Sequence, residues 1–121
     1  FEKLFANPYF LSCKRIQWDA ISGLVNQFDL IINCTNLGGF DQARQSPFST
    51  ETLSNVPKGA LVYDVNYTPQ ESTLFSQCKA LDIHFVNGSQ MNIMQAVYAF
   101  QKACKHLHGF TDSDVLCAML A

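Results

Sequence analysis

Hydrophobic residues in this chain form three short runs of β type, which alternate with segments of helical periodicity. The runs span residues 28–35, 60–66 and 83–86. The first is continuously apolar, as is typical of a parallel strand that is buried on both faces. Residues 14–18 alternate between polar and apolar side chains, which predicts a short edge strand.

Helical signals occupy the intervals between these runs. Ser49 is an expected N-cap, as is Ser72, whose helix would turn Leu74, Cys78 and Leu81 inward. Apolar residues at a spacing of 3.6 predict a long amphipathic helix from Ser89 that stops at Gly109. We also expect helical turns at residues 19–27, a short final helix with a capping box at residues 111–114, and the last turn of an earlier helix at residues 1–5.

Strands that alternate with helices imply parallel βαβ units with right-handed crossovers. The predicted fold class is therefore α/β, with a parallel Rossmann-like sheet. The chain has 121 residues, of which 48% are hydrophobic and 15% charged, and this is the size of one domain.

Charge and hydropathy exclude several classes of partner. The net charge is −2, without a run of either sign, so we expect no nucleic acid and no membrane partner. No apolar stretch approaches the roughly 20 residues that span a bilayer, and the first residues do not resemble a signal peptide. A cytoplasmic location is predicted.

The five cysteines include no CxxC pair, and no cysteine–histidine spacing suits a metal ion. We therefore predict no metal site. Most of the cysteines are expected to be small buried hydrophobic residues.

Three polar or flexible positions follow the predicted strands, where open α/β sheets bind ligands. Tyr67 is either a packed loop aromatic or a hydroxyl aimed into the ligand crevice. Gln95 points away from the apolar stripe of its helix, and is either a solvent-facing amide or a partner for ligand hydroxyls. Gly88 is a turn residue, or it lets a ring approach the backbone.

Three sequence blocks lie at the ends of the predicted strands. Residues 29–38 read Asp-Leu-Ile-Ile-Asn-Cys-Thr-Asn-Leu-Gly, residues 63–69 read Tyr-Asp-Val-Asn-Tyr-Thr-Pro, and residues 88–96 read Gly-Ser-Gln-Met-Asn-Ile-Met-Gln-Ala. Together these blocks resemble the carboxyl-terminal half of shikimate dehydrogenase. That family has Asp-Leu-Ile-Ile-Asn-Ala-Thr-Ser leading to glycine at the first block and Gly-Leu-Gly-Met-Leu-Val-x-Gln-Ala at the third.

The resemblance implies an NADP-dependent enzyme that reduces 3-dehydroshikimate to shikimate in aromatic amino acid (chorismate) biosynthesis. It implies that Tyr67 and Gln95 contact the small-molecule substrate. It places Thr35, Asn36, Val65 and Gly88 along the nicotinamide and ribose of NADP.

The resemblance also implies that catalysis needs residues outside this chain. The catalytic lysine and aspartate of the family belong to an amino-terminal substrate domain, which is absent here. Residues 1–121 would be the carboxyl-terminal portion of the Rossmann-type NADP-binding domain. They would supply no catalytic residue and would be inactive alone.

Two departures from the family pattern leave the substrate open. Asn36 stands where the family usually has serine, and Gln90 stands where it has a second glycine. The larger side chains of Asn36 and Gln90 would alter how closely the nicotinamide approaches the protein, or they mark a divergent specificity such as that of a quinate/shikimate dehydrogenase variant.

A doubly wound sheet of order 3-2-1-4-5-6 would take its strands 3 to 6 from this chain, with helices on both faces. Strand 4 would then present an open apolar edge. Such an edge predicts self-association or a partner that supplies the missing strands. An alternative to the enzyme is therefore a non-catalytic half-Rossmann remnant or interaction module.

Overall fold

A computed structural model describes residues 13–104, 109 and 111–120. Its centre is an open sheet of three parallel strands in the order β1-β2-β3. The strands are Leu30–Asn33 (β1), Leu61–Asp64 (β2) and His84–Asn87 (β3). The predicted α/β class and parallel sheet are thus confirmed.

Helices precede, connect and follow the strands. Among the described residues, the short 3₁₀ helices are Trp18–Gly23, Val25–Gln27 and Phe40–Gln42. The α-helices in the same part of the chain are Thr50–Leu53 (α1), Thr73–Ala80 (α2), Ser89–Ala103 (α3) and Asp112–Leu120 (α4). The helical turns expected at residues 19–27 are therefore of the tighter 3₁₀ type.

The predicted helix caps are confirmed. Ser49 and Ser72 each accept a hydrogen bond from the backbone N–H three residues on, at 3.1 and 3.2 Å. Thr111 donates its N–H to Asp114 Oδ2 at 2.8 Å and accepts the N–H of Asp114 at 3.2 Å, which is a capping box. The hydrogen bonds from the Thr111 side chain and backbone lower the pKa of Asp114.

The hydrophobic core lies on one face of the sheet. Ile31 and Val62 are neighbours across β1 and β2, and both point into it. The residues that pack with them come from the helices and their connections: Val25, Leu53, Val56, Ala60, Leu74 and Cys78. Of the inward positions expected for α2, Leu74 and Cys78 are buried, and Leu81, at the C-cap, is partly buried against the same core.

The opposite face of the sheet is largely open. Leu30 and Ile32 are 51% and 52% exposed, although Ile31 between them is buried. The expectation that this strand is buried on both faces is therefore wrong. The hydrophobic core covers the face to which Ile31 points, and because successive strand residues alternate between faces, Leu30 and Ile32 lie on the face that the described residues leave largely uncovered.

The predicted edge strand at residues 14–18 is also wrong. Residues 13–17 have no regular secondary structure, and Trp18 begins a 3₁₀ helix. A strand exists only through its hydrogen bonds to a neighbour. In the order 3-2-1-4-5-6 this segment would pair with strand 2, and no described residue forms that strand.

Helix α3 confirms the predicted start at Ser89, and its described part reaches Ala103. Residues 105–108 lie outside the described residues, so the predicted end at Gly109 stays a prediction. Val97 is the buried member of the apolar stripe, while Phe100 is 43% exposed. The helix packs against α4, and Gln101 donates a hydrogen bond to Asp112 there.

The cysteines differ from the expectation. Cys78 is buried and Cys104 is half-buried, but Cys13, Cys34 and Cys117 are exposed. The prediction that most of them are buried is wrong, because Cys34 follows β1 at the open edge of the sheet, and Cys13 and Cys117 lie in an irregular segment and on α4, outside the core.

None of the helices in the described ranges is both long enough and apolar enough to cross a bilayer. The helical turn predicted at residues 1–5 lies outside the described residues.

Candidate functional site

The three strands end in a row of polar side chains at the carboxyl edge of the sheet. Asn33, Asp64 and Asn87 are register partners across β1, β2 and β3. Each side-chain oxygen accepts the backbone N–H two residues further along, at 3.0, 3.0 and 3.2 Å. Each strand therefore ends in the same Asx turn, which directs the chain into the following loop.

Asp64 is the buried centre of this row, with 1% of its surface exposed. Its Oδ1 accepts three hydrogen bonds: from Asn33 Nδ2 at 3.0 Å, from Asn66 N–H at 3.0 Å and from Asn66 Nδ2 at 2.9 Å. Its Oδ2 has no hydrogen-bond partner among the described residues. Burial, and secondarily the charge of Asp64, raise the pKa of the nearby Cys78 thiol to about 11.

The side chain of Asn66 connects this centre to the loop after β1. Its Nδ2 also donates to the carbonyl oxygens of Thr35 and Leu37, at 3.0 and 3.3 Å. The Thr35 hydroxyl donates to Asn33 Oδ1 at 2.7 Å and accepts the N–H of Leu37 at 3.2 Å. Residues 35–37 are therefore held from both sides by amide side chains.

Two glycines let the loop lie close to this network. Gly38 has a φ of +90°, which a residue with a side chain rarely adopts. A Cβ atom on Gly39 would lie 2.9 Å from Asn66 Oδ1 and 3.1 Å from the carbonyl oxygen of Asn36. The backbone conformation therefore favours glycine at position 38, and close packing favours it at position 39.

Gly88 packs directly on the end of β2. Its N–H donates to the carbonyl oxygen of Asn66 at 3.1 Å. A Cβ atom on Gly88 would lie 2.2 Å from the carbonyl oxygen of Val65. The absent side chain thus makes room for the protein's own backbone, a role that the sequence interpretation did not consider.

The structure brings together three of the six residues expected at the site. Thr35, Val65 and Gly88 converge around Asn66 at the carboxyl ends of β1 and β2. Asn36 lies in the same loop and is exposed.

Tyr67 and Gln95 are not joined to this cluster. Tyr67 is 46% exposed, and Gln95 is exposed on the second turn of α3. Neither side chain forms a hydrogen bond with another residue in the described part of the chain.

Sequence reasoning missed the residues that build this edge. Asn33, Asp64 and Asn66 were not among the expected site residues, yet they make most of its hydrogen bonds. The signal was an Asn or Asp near the carboxyl end of each apolar run, since these residues favour turns through their side chains.

An apolar cavity of about 310 Å³ lies along the open edge of β1. Trp18, Val25 and Phe48 line it together with residues 30–35 of the strand and its end. Of the polar residues at the carboxyl edge of the sheet, Asn33 and Thr35 line this cavity, but Asp64, Asn66 and Asn87 do not. The cavity therefore belongs to the open edge of β1 rather than to the polar site.

No family model matches the chain, but individual proteins are similar to it in sequence and in fold. A curated shikimate dehydrogenase (NADP(+)) from Clostridium botulinum is 38% identical over 80 residues, which are 66% of this chain. The chain spans about 30% of the length of this curated relative.

Solved structures of related enzymes have the same fold. A quinate dehydrogenase from Corynebacterium glutamicum in complex with NAD has a TM-score of 0.66 at 27% identity, over 87% of this chain and 35% of its own. A chorismate mutase/shikimate 5-dehydrogenase fusion protein from Clostridium acetobutylicum has a TM-score of 0.64 at 28% identity. That match covers 83% of this chain and 34% of the fusion protein.

The parallel open sheet and its polar carboxyl edge define a Rossmann-like α/β protein. Over the segment that these relatives share, the chain belongs to the shikimate dehydrogenase family.

Proposed function

We propose that this chain forms the nicotinamide and substrate side of the active site in an NADP-dependent shikimate dehydrogenase. The complete enzyme would reduce 3-dehydroshikimate to shikimate. The observation that carries the proposal is the convergence of Thr35, Val65 and Gly88 at the carboxyl edge of the sheet. Open α/β sheets bind their ligands at this edge.

The residues present fit the nicotinamide half of the cofactor. The buried carboxylate of Asp64 and its amide partners hold residues 35–37 in one conformation, which presents Thr35 and Asn36 at the strand end. Thr35, Asn36, Val65 and Gly88 would hold the nicotinamide and its ribose. When bound, NADPH supplies the hydride for carbonyl reduction.

The diphosphate would be held elsewhere. A glycine-rich turn between a strand and a helix, which commonly binds a diphosphate, does not occur in the 121 residues. We propose that residues 1–121 form the carboxyl-terminal portion of an NADP-binding domain. The other portion and the amino-terminal substrate domain would supply the diphosphate site and the catalytic lysine and aspartate.

Tyr67 and Gln95 would orient the substrate. The Tyr67 hydroxyl can donate one hydrogen bond and accept another, and the Gln95 amide offers both a carbonyl oxygen and N–H donors. Both side chains are exposed and uncommitted to other described residues, as partners for the ring hydroxyls of shikimate must be.

The test is a steady-state assay of the complete protein that contains this sequence, with 3-dehydroshikimate and NADPH. We expect Tyr67→Phe and Gln95→Ala each to lower kcat/KM for 3-dehydroshikimate about tenfold, because each removes a substrate hydrogen bond. The KM for NADPH should stay within about twofold of wild type.

Matched controls change the same residue types away from the polar edge. Tyr63→Phe alters a half-buried tyrosine within β2, and Gln27→Ala alters an exposed glutamine of a 3₁₀ helix. Both should retain wild-type kinetics. Absence of NADPH-dependent reduction in the wild type, or site variants that behave like their controls, would refute the proposed function.

A quinate/shikimate dehydrogenase is the second candidate. The solved quinate dehydrogenase is 27% identical to this chain, and Asn36 and Gln90 depart from the shikimate dehydrogenase pattern. Assays of shikimate and quinate oxidation, each with NADP and with NAD, separate the two candidates. A higher kcat/KM for quinate than for shikimate would select the second one.

A further inference from the structure

We propose that Asp64 is a positioning residue that sets residues 35–37 against the nicotinamide side of the cofactor, acting through Asn33 and Asn66. The inference rests on the proposed function, and it assigns a role to a residue that touches neither cofactor nor substrate in that proposal.

The first step is the convergence of donors on one oxygen. Asp64 Oδ1 accepts from Asn33 Nδ2, from the Asn66 backbone and from Asn66 Nδ2, all between 2.9 and 3.0 Å. These bonds fix the orientation of both amide groups, because each amide nitrogen is directed at the same acceptor. The Asp64 carboxylate therefore orients the side chains of both asparagines.

The second step is what the two oriented amides hold. Asn33 Oδ1 accepts the N–H and the hydroxyl of Thr35, at 3.0 and 2.7 Å. Asn66 Nδ2 donates to the carbonyl oxygens of Thr35 and Leu37. Thr35 is thus held through its N–H, its hydroxyl and its carbonyl oxygen, and every one of these bonds leads back to Asp64 through one amide.

The third step extends the network to β3. The carbonyl oxygen of Asn66 accepts the N–H of Gly88, which begins the turn into α3. Asp64 therefore stands at the middle of three strand ends and is linked to both neighbours, to β1 through Asn33 and to the β3–α3 turn through Asn66.

Burial argues against a role in packing alone. Asp64 is 99% buried. The apolar side chains of Ile31 and Val62 fill other inward positions of the same sheet, so packing there does not require a carboxylate. An unneeded buried carboxylate is costly, because a charge leaves water only if hydrogen bonds replace its hydration. Charge-assisted hydrogen bonds are roughly twice as strong as neutral ones, which suits a residue that must hold two amides in place.

The test is Asp64→Asn in the complete protein, because asparagine keeps the shape and one acceptor oxygen but removes the charge. The first measurement is the NADPH dissociation constant without substrate, from nucleotide fluorescence. The second is amide hydrogen exchange without cofactor. We expect about tenfold weaker NADPH binding, which equals about 1.4 kcal/mol, and faster exchange at the N–H groups of Thr35 and Leu37.

Two further variants separate positioning from general stability. Cys78→Ala removes a buried neighbour of Asp64 without touching the network. It should lower Tm but leave the NADPH dissociation constant and the exchange at Thr35 within about twofold of wild type. Asn66→Ala should weaken NADPH binding as Asp64→Asn does, and the double variant should lose less than the sum of the two single losses, because the two residues share one network and only the path through Asn33 remains.

The outcomes are distinct. NADPH binding and loop exchange of Asp64→Asn that match wild type, or changes no larger than those of Cys78→Ala, would overturn the role of Asp64. If Asp64→Asn does not fold, Asn66→Ala decides by the same two measurements. A wild type that does not bind NADPH refutes the proposed function, whereas exchange in the cofactor-free protein still reports whether Asp64 holds the loop.

Discussion

The backbone of Val65 occupies the space that a side chain on Gly88 would need. The Cβ of an alanine at this position would lie 2.2 Å from the Val65 carbonyl oxygen and 2.8 Å from its carbonyl carbon. Both atoms are backbone, so they cannot turn aside as a side chain could. The end of β2 and the start of α3 are therefore joined at a distance that only glycine permits.

Gly88→Ala should destabilise the protein by about 1–3 kcal/mol, the range for overpacked sites, because β2 and α3 must separate. Urea denaturation measures the change. Gly23→Ala is the matched control, since its Cβ would meet nothing within 4 Å and its φ is not positive. The control should be neutral or slightly stabilising. Equal free energies of unfolding for the two variants would contradict the close packing at Gly88.

Ser72→Ala should lower the free energy of unfolding by about 1 kcal/mol, because it removes the buried N-cap of α2 and leaves the N–H of Phe75 without its acceptor. Ser72→Thr, which keeps the capping hydroxyl, should recover most of the loss. Guanidinium denaturation provides the comparison. A threonine variant as unstable as the alanine variant would show that packing, rather than the cap, determines the effect.

The two faces of the sheet should respond differently to the same truncation. Val62 is fully buried, whereas Val86 is 43% exposed. Val62→Ala should cost about 2–3 kcal/mol, from the lost methyl groups and the cavity that they leave. Val86→Ala should cost less than about 1 kcal/mol in urea denaturation. Equal costs would mean that other parts of the protein cover the open face.

Cys78 should couple stability to alkaline pH. Its pKa in the folded protein is about 11, above the ordinary value of 9.0. Between these values the unfolded chain loses the thiol proton and the folded chain keeps it. The contribution of Cys78 is therefore complete below about pH 9 and is lost as pH rises to about 11, with a slope of up to about 1.4 kcal/mol per unit.

Denaturation of wild type and Cys78→Ala between pH 8 and 11 measures this contribution. The difference in unfolding free energy between the two proteins should shrink as pH rises. A difference that stays constant would show that Cys78 titrates normally.

The open edge of β1 predicts association. The strand has no neighbour on its outer side among the described residues, and two of its own side chains, Leu30 and Ile32, are about half exposed. The 121-residue chain should show a mass by light scattering that rises with concentration, as unpaired apolar edges favour pairing. Ile32→Lys should suppress the rise, and Val86→Lys on β3 is the control. A mass of 13.6 kDa at every concentration would refute the prediction.

Local signals predicted much of the fold. The strands lie inside the apolar runs at residues 28–35 and 60–66, and the third is shifted by one residue. Ser49, Ser72 and residues 111–114 cap helices as expected, because capping depends only on neighbours in sequence. These features need no knowledge of the tertiary structure.

Features that depend on distant partners were predicted less well. The alternation at residues 14–18 resembles a strand, but it lacks a neighbour to pair with. The exposure of Leu30 and Ile32 depends on which elements cover the sheet. The role of Gly88 depends on Val65, which follows β2 and is distant in sequence, so the sequence showed a flexible position without the atoms that require it.

The shared register of Asn33, Asp64 and Asn87 makes strand length a strict constraint on this edge. Removal of one residue from the middle of β2 would turn the Asp64 side chain to the opposite face of the sheet, because successive strand residues alternate. The same deletion in the outer part of a connecting loop would leave the row aligned. Changes of length in the outer parts of the connecting loops therefore cost little, whereas the number of residues in each strand is fixed by the alignment of the three polar side chains.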